Sequence, residues 1–96
     1  MFAKYNSIGQ MVDEKWQNST GTDIAHYKYV YDGQGNIVRS IDILSKKEYN
    51  YEYEDGRIVR ATESNITVTN EIVTSKVIVN TIKYYLADRF VFKHKA

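Results

Sequence analysis

The sequence predicts an all-β protein in which antiparallel β-hairpin repeats form a twisted sheet or strip. Three observations support this prediction. Tyrosine recurs at alternate positions in two short runs, a turn containing glycine follows each run, and β-branched residues follow each turn. The 96 residues also include no proline, which suits a backbone whose N–H groups are paired in a ladder. Helical spacing of apolar residues is weak along the chain.

The two tyrosine runs are the clearest predicted strands, because side chains alternate between the two faces of a strand. The alternate tyrosines are Tyr27, Tyr29 and Tyr31 in the first run and Tyr49, Tyr51 and Tyr53 in the second. Residues 32–36 and 54–56 are predicted turns, since Gly and Asn tolerate the positive φ of tight hairpins. Residues 37–43 and 57–62 are then the return strands. Residues 13–25 are interpreted as an earlier return strand and its loop.

The C-terminal third is dense in β-branched residues and has few turn signals. A turn at Thr74-Ser75-Lys76 would make residues 66–73 and 77–85 an antiparallel pair. Residues 90–93 would return beside the second of these strands. A helix over residues 81–88 is the less favoured alternative.

Composition excludes several classes of function. The 13 basic and 12 acidic residues leave a net charge of +1, which gives no electrostatic signature for nucleic acid or an anionic membrane. No apolar run approaches the roughly 18 residues of a membrane helix, so no membrane insertion is expected. The absence of cysteine excludes disulfides and cysteine-based zinc sites. The first residues lack the pattern of a secretory signal, so export would be directed from elsewhere in a parent protein.

Internal similarity predicts a repeat architecture. Four segments align as a tyrosine, a turn and a β-rich return, and they start at Tyr5, Tyr31, Tyr53 and Tyr85. The last two are one residue shorter in the turn, and Asp88 occupies the glycine position of the fourth. The sequence therefore predicts one module over residues 1–96 with three to four hairpin repeats. The repeats are clearest over residues 5–62 and degenerate over residues 63–96.

The segment YDGQGNI, residues 31–37, resembles the YD repeat of Rhs proteins, bacterial wall-associated proteins, insecticidal toxin complexes and teneurins. Only this copy has the full Tyr-Asp-x-x-Gly pattern; the first copy has Asn6 in place of aspartate, and the third keeps Asp55-Gly56 in a shorter turn. The residues identified as structural elements of the repeat motif are Tyr27, Tyr29, Tyr31, Asp32, Gly35, Tyr49, Tyr51, Tyr53 and Gly56.

The resemblance implies a β-hairpin strip that spirals into a hollow shell in long arrays. In the bacterial members such a shell encloses a toxin, and in teneurins it forms part of a cell-surface adhesion molecule. We therefore expect a non-catalytic structural module of a secreted or cell-surface scaffold, without a cofactor. Its expected partners are the neighbouring repeats of the parent chain, with a glycan or protein ligand as a further possibility.

The tyrosines themselves have two interpretations. An offset of 22 residues brings the first set into correspondence with the second, so stacked hairpins would set the two ladders side by side. Favourable aromatic pairs add about 0.5 to 1.5 kcal/mol beyond the area they bury, which would help a thin sheet cohere. The alternative is a carbohydrate-binding or adhesion surface formed by the exposed faces of Tyr27, Tyr29, Tyr49 and Tyr51.

No other residues form a convincing catalytic or metal-binding motif. His26 and His94 are the only histidines and lack nearby acidic residues at helical ligand spacing, so both are predicted to be surface residues. Asp32, Glu54 and Asp55 lie at hairpin tips, where aspartate commonly caps backbone amides. We therefore expect turn formation from these carboxylates and no acid-base chemistry.

Three further features are interpreted as structural. The pair of glycines at residues 33 and 35 lacks the third glycine and the following helix of a dinucleotide-binding loop. The glycosylation sequons at residues 18–20 and 65–67 are interpreted as polar loop or strand residues. Trp16 is expected to fill the space beside the first hairpin.

The outer strands are predicted to associate through their edges. They lack proline and carry little charge. Proline and charged side chains are two of the usual features that block edge pairing. A homo-oligomer formed by sheet edges is therefore expected.

Overall fold

The computed structural model describes residues 1–83, which form seven β-strands and no helix. The strands are β1 (Phe2–Tyr5), β2 (Met11–Gln17), β3 (Asp23–Tyr31), β4 (Ile37–Asp42), β5 (Lys47–Glu54), β6 (Arg57–Thr69) and β7 (Ile72–Lys83). They join in chain order into one antiparallel sheet, which confirms the predicted all-β class. Within the same range, no helix is long and apolar enough to cross a membrane.

The hairpins β1–β2, β3–β4 and β5–β6 share one irregularity at the turn end. In each, a tyrosine of the outgoing strand pairs with an apolar residue, and the register shifts by one residue beside that pair. The pairs are Tyr5 with Met11, Tyr31 with Ile37 and Tyr53 with Ile58. The valine that follows each apolar residue has no directly opposite partner; these are Val12, Val38 and Val59. Such bulges increase the local twist, so the three hairpins twist at equivalent positions.

One five-residue turn occurs three times, at residues 6–10, 18–22 and 32–36. In each turn the side-chain oxygen of the first residue accepts hydrogen bonds of 2.9 to 3.1 Å from the backbone N–H groups two and four positions later. The fourth residue is a glycine with φ between 84° and 87°. The positive φ predicted for Gly35 is thus confirmed. The turn at residues 18–22 lies in the segment interpreted only as a loop.

Two further turns each have two central residues. Asp55 and Gly56 connect β5 to β6 with φ values of 52° and 76°, and Asn70 and Glu71 connect β6 to β7 with φ values of 51° and 64°. Two consecutive left-handed residues match the twist of the flanking strands.

The turn predicted at Thr74-Ser75-Lys76 is therefore wrong. Ser75 pairs with Thr67 and Lys76 pairs with Ile66 inside a continuous hairpin, because β-branched residues favour the extended backbone and Asn70 accepts the positive φ more readily. The strand pair predicted for residues 66–73 and 77–85 is replaced by β6 and β7.

Other predicted boundaries also shift. The return strand predicted for residues 57–62 continues to Thr69 in β6, and that predicted for residues 37–43 ends at Asp42. Residues 81–83 belong to β7 and not to a helix. The fourth repeat, the strand at residues 90–93 and His94 lie outside the described residues.

The sheet has two different faces. Pairing across the strands sets Asp13, Lys28, Ile41, Glu48 and Ser64 in one row. Every buried residue of the described range lies on this side, which we call the inner face; they are Asp13, His26, Ile41, Glu48, Ser64 and Ile66. The six alternate tyrosines point to the opposite side, the tyrosine face, and all are half-buried.

The inner face is covered in part by the hairpin of β6 and β7. Glu71, in the turn of that hairpin, has a carboxylate oxygen 3.2 Å from Nζ of Lys28 on β3. Three strand spacings separate β3 from β6, which is about 14 Å in a flat sheet. Register shifts in β6 at Glu63/Ser64 and Thr67/Val68 mark the bulges that allow this bend.

Gly35→Val should lower the free energy of unfolding by about 1 to 3 kcal/mol, because a β-branched residue is strained at the φ of 86° that this turn requires. Gly33→Val is the matched control, since Gly33 has open space around it and no positive φ; it should change stability by less than about 0.5 kcal/mol. Urea unfolding monitored by circular dichroism measures both. Equal effects of the two substitutions would contradict the turn assignment.

Candidate functional site

The tyrosine ladders lie on one face but are separated by a strand. Tyr29 on β3 is opposite Ser40 on β4, and Ser40 is opposite Tyr49 on β5. The ladders are therefore about 10 Å apart across the sheet, and the matching residues differ by 20 positions. The prediction of adjacent ladders offset by 22 residues is wrong, because it did not include the strand between them.

Two tyrosine hydroxyl groups connect successive hairpins. Oη of Tyr31 donates a 2.7 Å hydrogen bond to the carbonyl of Met11, and Oη of Tyr53 donates a 2.7 Å hydrogen bond to the carbonyl of Ile37. Met11 and Ile37 are equivalent, since each lies six residues after the motif tyrosine of its own repeat. The motif tyrosine of one hairpin thus binds the return strand of the preceding hairpin.

The carboxylate of Glu14 lies between two aromatic residues of the tyrosine face. It accepts a 2.8 Å hydrogen bond from Oη of Tyr29 and a 2.9 Å hydrogen bond from Nε1 of Trp16. Burial raises the pKa of Tyr29, and the hydrogen bond to Glu14 acts in the same direction. Trp16 is 43% exposed, so the prediction that it fills the space beside the first hairpin is wrong.

The turn ends of the second and third hairpins form an open groove. Its lining includes Asp32, Tyr51, Tyr53, Asp55 and Gly56, so the structure brings these sequence-predicted residues together. A backbone hydrogen bond from Asn36 lowers the pKa of Asp32, and other hydrogen bonds within the turn add to this. The carboxylate of Asp32 therefore stabilises its own turn. Glu54 lies beside the groove, directly before Asp55.

The centre of the inner face is a buried ionic network around Glu48, whose side chain is fully buried. Its carboxylate accepts hydrogen bonds of 2.7 Å from Arg39, 2.9 Å from Lys76 and 2.8 Å from Asn50. Burial alone raises the pKa of Glu48, but these three donors outweigh burial and lower the pKa to about 2. Because Lys76 belongs to β7, the network holds the last hairpin against β4 and β5.

A second polar cluster lies beside it and contains Asp13, His26, Lys28 and Glu71. Nε2 of His26 is 2.9 Å from Oδ1 of Asp13, and Nζ of Lys28 is 2.9 Å from Oδ2 of Asp13. Burial raises the pKa of Asp13, but its hydrogen bonds and charge interactions with Lys28 and His26 together outweigh burial and lower the pKa. The pKa of Lys28 is raised, chiefly by its hydrogen bond to Asp13.

His26 is 2% exposed, so the prediction of a surface histidine is wrong. The error arose because its partners are distant in sequence: Asp13 comes from β2, and Glu71 comes from the last turn. The alternation of side chains along the strand could have indicated this burial, because His26 and Lys28 point to the face opposite that of Tyr27 and Tyr29. The same alternation places Glu48 opposite in direction to Tyr49.

Comparison of the sequence with protein-family models and with curated proteins finds no match. The functional argument therefore depends on the geometry of the chain. Three features of that geometry are distinctive: equivalent contacts between hairpins, half-buried tyrosines on one face, and a buried ionic face on the other.

Tyr31→Phe should lower the free energy of unfolding by about 0.5 to 1.5 kcal/mol, because it removes the hydrogen bond to the carbonyl of Met11. Tyr53→Phe should act similarly at the next hairpin. Tyr49→Phe is the control, since the hydroxyl of Tyr49 makes no hydrogen bond with residues 1–83. If all three variants unfold at the same urea concentration as the unsubstituted chain, the hydroxyl groups do not join the hairpins.

Stability should fall in acid as Glu48 becomes protonated. Its pKa is about 2 in the folded chain against 4.5 for an ordinary glutamate, so its ionised form stabilises the fold above about pH 4.5. This contribution, about 3 kcal/mol, is lost as the pH falls towards 2. Titration of the Glu48 carboxyl carbon by NMR measures the pKa directly. A midpoint near 4.5 would show that the carboxylate is solvated and would contradict the buried network.

Proposed function

We propose that the chain is a non-catalytic structural repeat module of an extracellular YD-repeat scaffold, either a toxin-enclosing shell or a cell-surface adhesion protein. The observation that most supports this proposal is that one hydrogen-bonded contact between successive hairpins recurs. Tyr31 and Tyr53 donate to the equivalent carbonyls of Met11 and Ile37, and bulges occur at equivalent positions. A contact between neighbouring hairpins can recur along a chain of any length, as in other repeat proteins.

The two outer strands support a role within a longer strip. Among residues 1–83, β1 and β7 each pair with a neighbour on one side only. β7 exposes large apolar side chains, with Val77 at 66%, Ile78 at 62% and Ile82 at 45%. An exposed, long and weakly charged edge strand recruits another strand. The proposed partners are therefore adjacent modules of the parent protein or, for the isolated chain, a second copy.

A carbohydrate-binding or adhesion surface is the second candidate. It is favoured by the tyrosine face, where the hydroxyl groups of Tyr27 and Tyr49 make no hydrogen bond with residues 1–83 and both rings remain half-exposed. Aromatic rings with a free polar group can pack against sugars and donate to them. Binding on a glycan array that is lost on substitution of Tyr27, Tyr29, Tyr49 and Tyr51 would favour this candidate over a purely structural module.

Edge pairing predicts that the isolated chain associates as its concentration rises. Sedimentation equilibrium from micromolar to about millimolar protein should show dimers or larger species, and Val77→Lys on β7 should weaken their formation because charge on an edge strand opposes pairing. Ile24→Lys is the control: Ile24 is 61% exposed, but it lies on β3, which is not an outer strand of the sheet. A chain that stays monomeric throughout, with slow amide exchange along both outer strands, would contradict the proposal.

A further inference from the structure

The cluster of Asp13, His26 and Glu71 has the ligands and the spacing of a metal site. One ligand atom from each of Asp13, His26 and Glu71 lies within 4.8 Å of the ligand atoms of the other two residues. The histidine nitrogen is 2.9 Å from the aspartate oxygen and 3.9 Å from the glutamate oxygen. Ligands about 2.0 to 2.2 Å from one ion are separated by roughly 3 to 4 Å, so small side-chain movements would bring all three to a common centre.

The fold holds these ligands on three different elements. Asp13 is on β2, His26 is on the neighbouring strand β3, and Glu71 approaches from the turn between β6 and β7. Asp13 and His26 are buried, which fixes their side chains, whereas Glu71 is half-exposed. A cavity lined by all three opens beside them and leaves room for water to complete the coordination.

The ammonium group of Lys28 lies beside these carboxylates. Its Nζ lies 2.9 Å from Asp13 and 3.2 Å from Glu71, so one ammonium group neutralises both carboxylates. Lys28 has a long side chain that is 29% exposed, and it can turn towards solvent. The cavity wall also includes Lys4 and Lys15. Their positive charges oppose cation binding, so an ion would have to be held by direct coordination to the three ligands.

We propose that Asp13, His26 and Glu71 bind a divalent transition-metal ion of the Zn²⁺ class in competition with the ammonium group of Lys28. Imidazole with two carboxylates suits a borderline metal better than Ca²⁺ or Mg²⁺, which prefer oxygen ligands alone. A bound ion would join β2 and β3 to the β6–β7 turn. It would therefore stabilise the bent sheet by binding only the folded chain.

Isothermal titration of the chain with Zn²⁺ alone, near pH 7.5, should show saturable binding of one ion. All variants are made in a His94→Gln background, which removes the other imidazole of the sequence. Glu71→Gln, in an exposed turn, should keep the fold and weaken binding by at least about tenfold. Glu52→Gln is the matched control, because it neutralises an exposed carboxylate paired with Arg60, and it should leave the affinity unchanged.

Two further measurements separate this site from surface binding. Lys28→Gln removes the competing charge and should tighten Zn²⁺ binding by about tenfold, whereas removal of an ordinary structural ion pair would not raise metal affinity. Co²⁺ should give visible absorption bands that are lost in His26→Gln. Absence of saturable binding, equal affinity of the Glu71→Gln and Glu52→Gln variants, or unchanged affinity in Lys28→Gln would each overturn the proposal.

Discussion

The ion network of Glu48 is the constraint on which the arrangement of the sheet depends. A fully buried carboxylate in a sheet of one layer is costly unless donors surround it. Arg39, Asn50 and Lys76 supply these donors from β4, β5 and β7, so the network joins the last hairpin to the two strands before it. The buried charge therefore favours the arrangement in which β7 reaches Glu48, because loss of the Lys76 contact would remove one of the two cations that neutralise this carboxylate.

The two faces of the sheet stabilise the fold through different kinds of contact. On the tyrosine face, hydroxyl groups fix each hairpin to the preceding one at short range, as Tyr31 does with Met11. On the inner face, ion pairs act over longer distances and hold the last hairpin in place, as Glu71 does with Lys28. Only two apolar side chains of the described range, Ile41 and Ile66, are buried. Polar satisfaction, more than apolar burial, therefore determines the shape of this sheet.

Local features could be predicted from the sequence, whereas contacts between distant segments could not. Gly35 and the alternate tyrosines depend on backbone conformation within a few residues, so turn chemistry and period-two alternation identify them. The turn at Asn70 and Glu71 was missed, although Asn70 adopts a positive φ more readily than the residues of Thr74-Ser75-Lys76, which are paired in a ladder. The burial of His26 depends on Asp13 and on the bend of β6, neither of which is encoded near residue 26.

A double-mutant cycle between Glu48 and Lys76 tests most directly whether the ionic network holds the last hairpin. The cycle compares the free energies of unfolding of the unsubstituted chain, the Glu48→Gln variant, the Lys76→Met variant and the double variant near pH 7. Lys76→Met keeps most of the apolar stem, so the cycle isolates the charge interaction across the bend. We expect a coupling free energy above about 1 kcal/mol, as found for residues that share a network. Effects that add within about 0.3 kcal/mol would show that the sheet keeps its curvature without this contact.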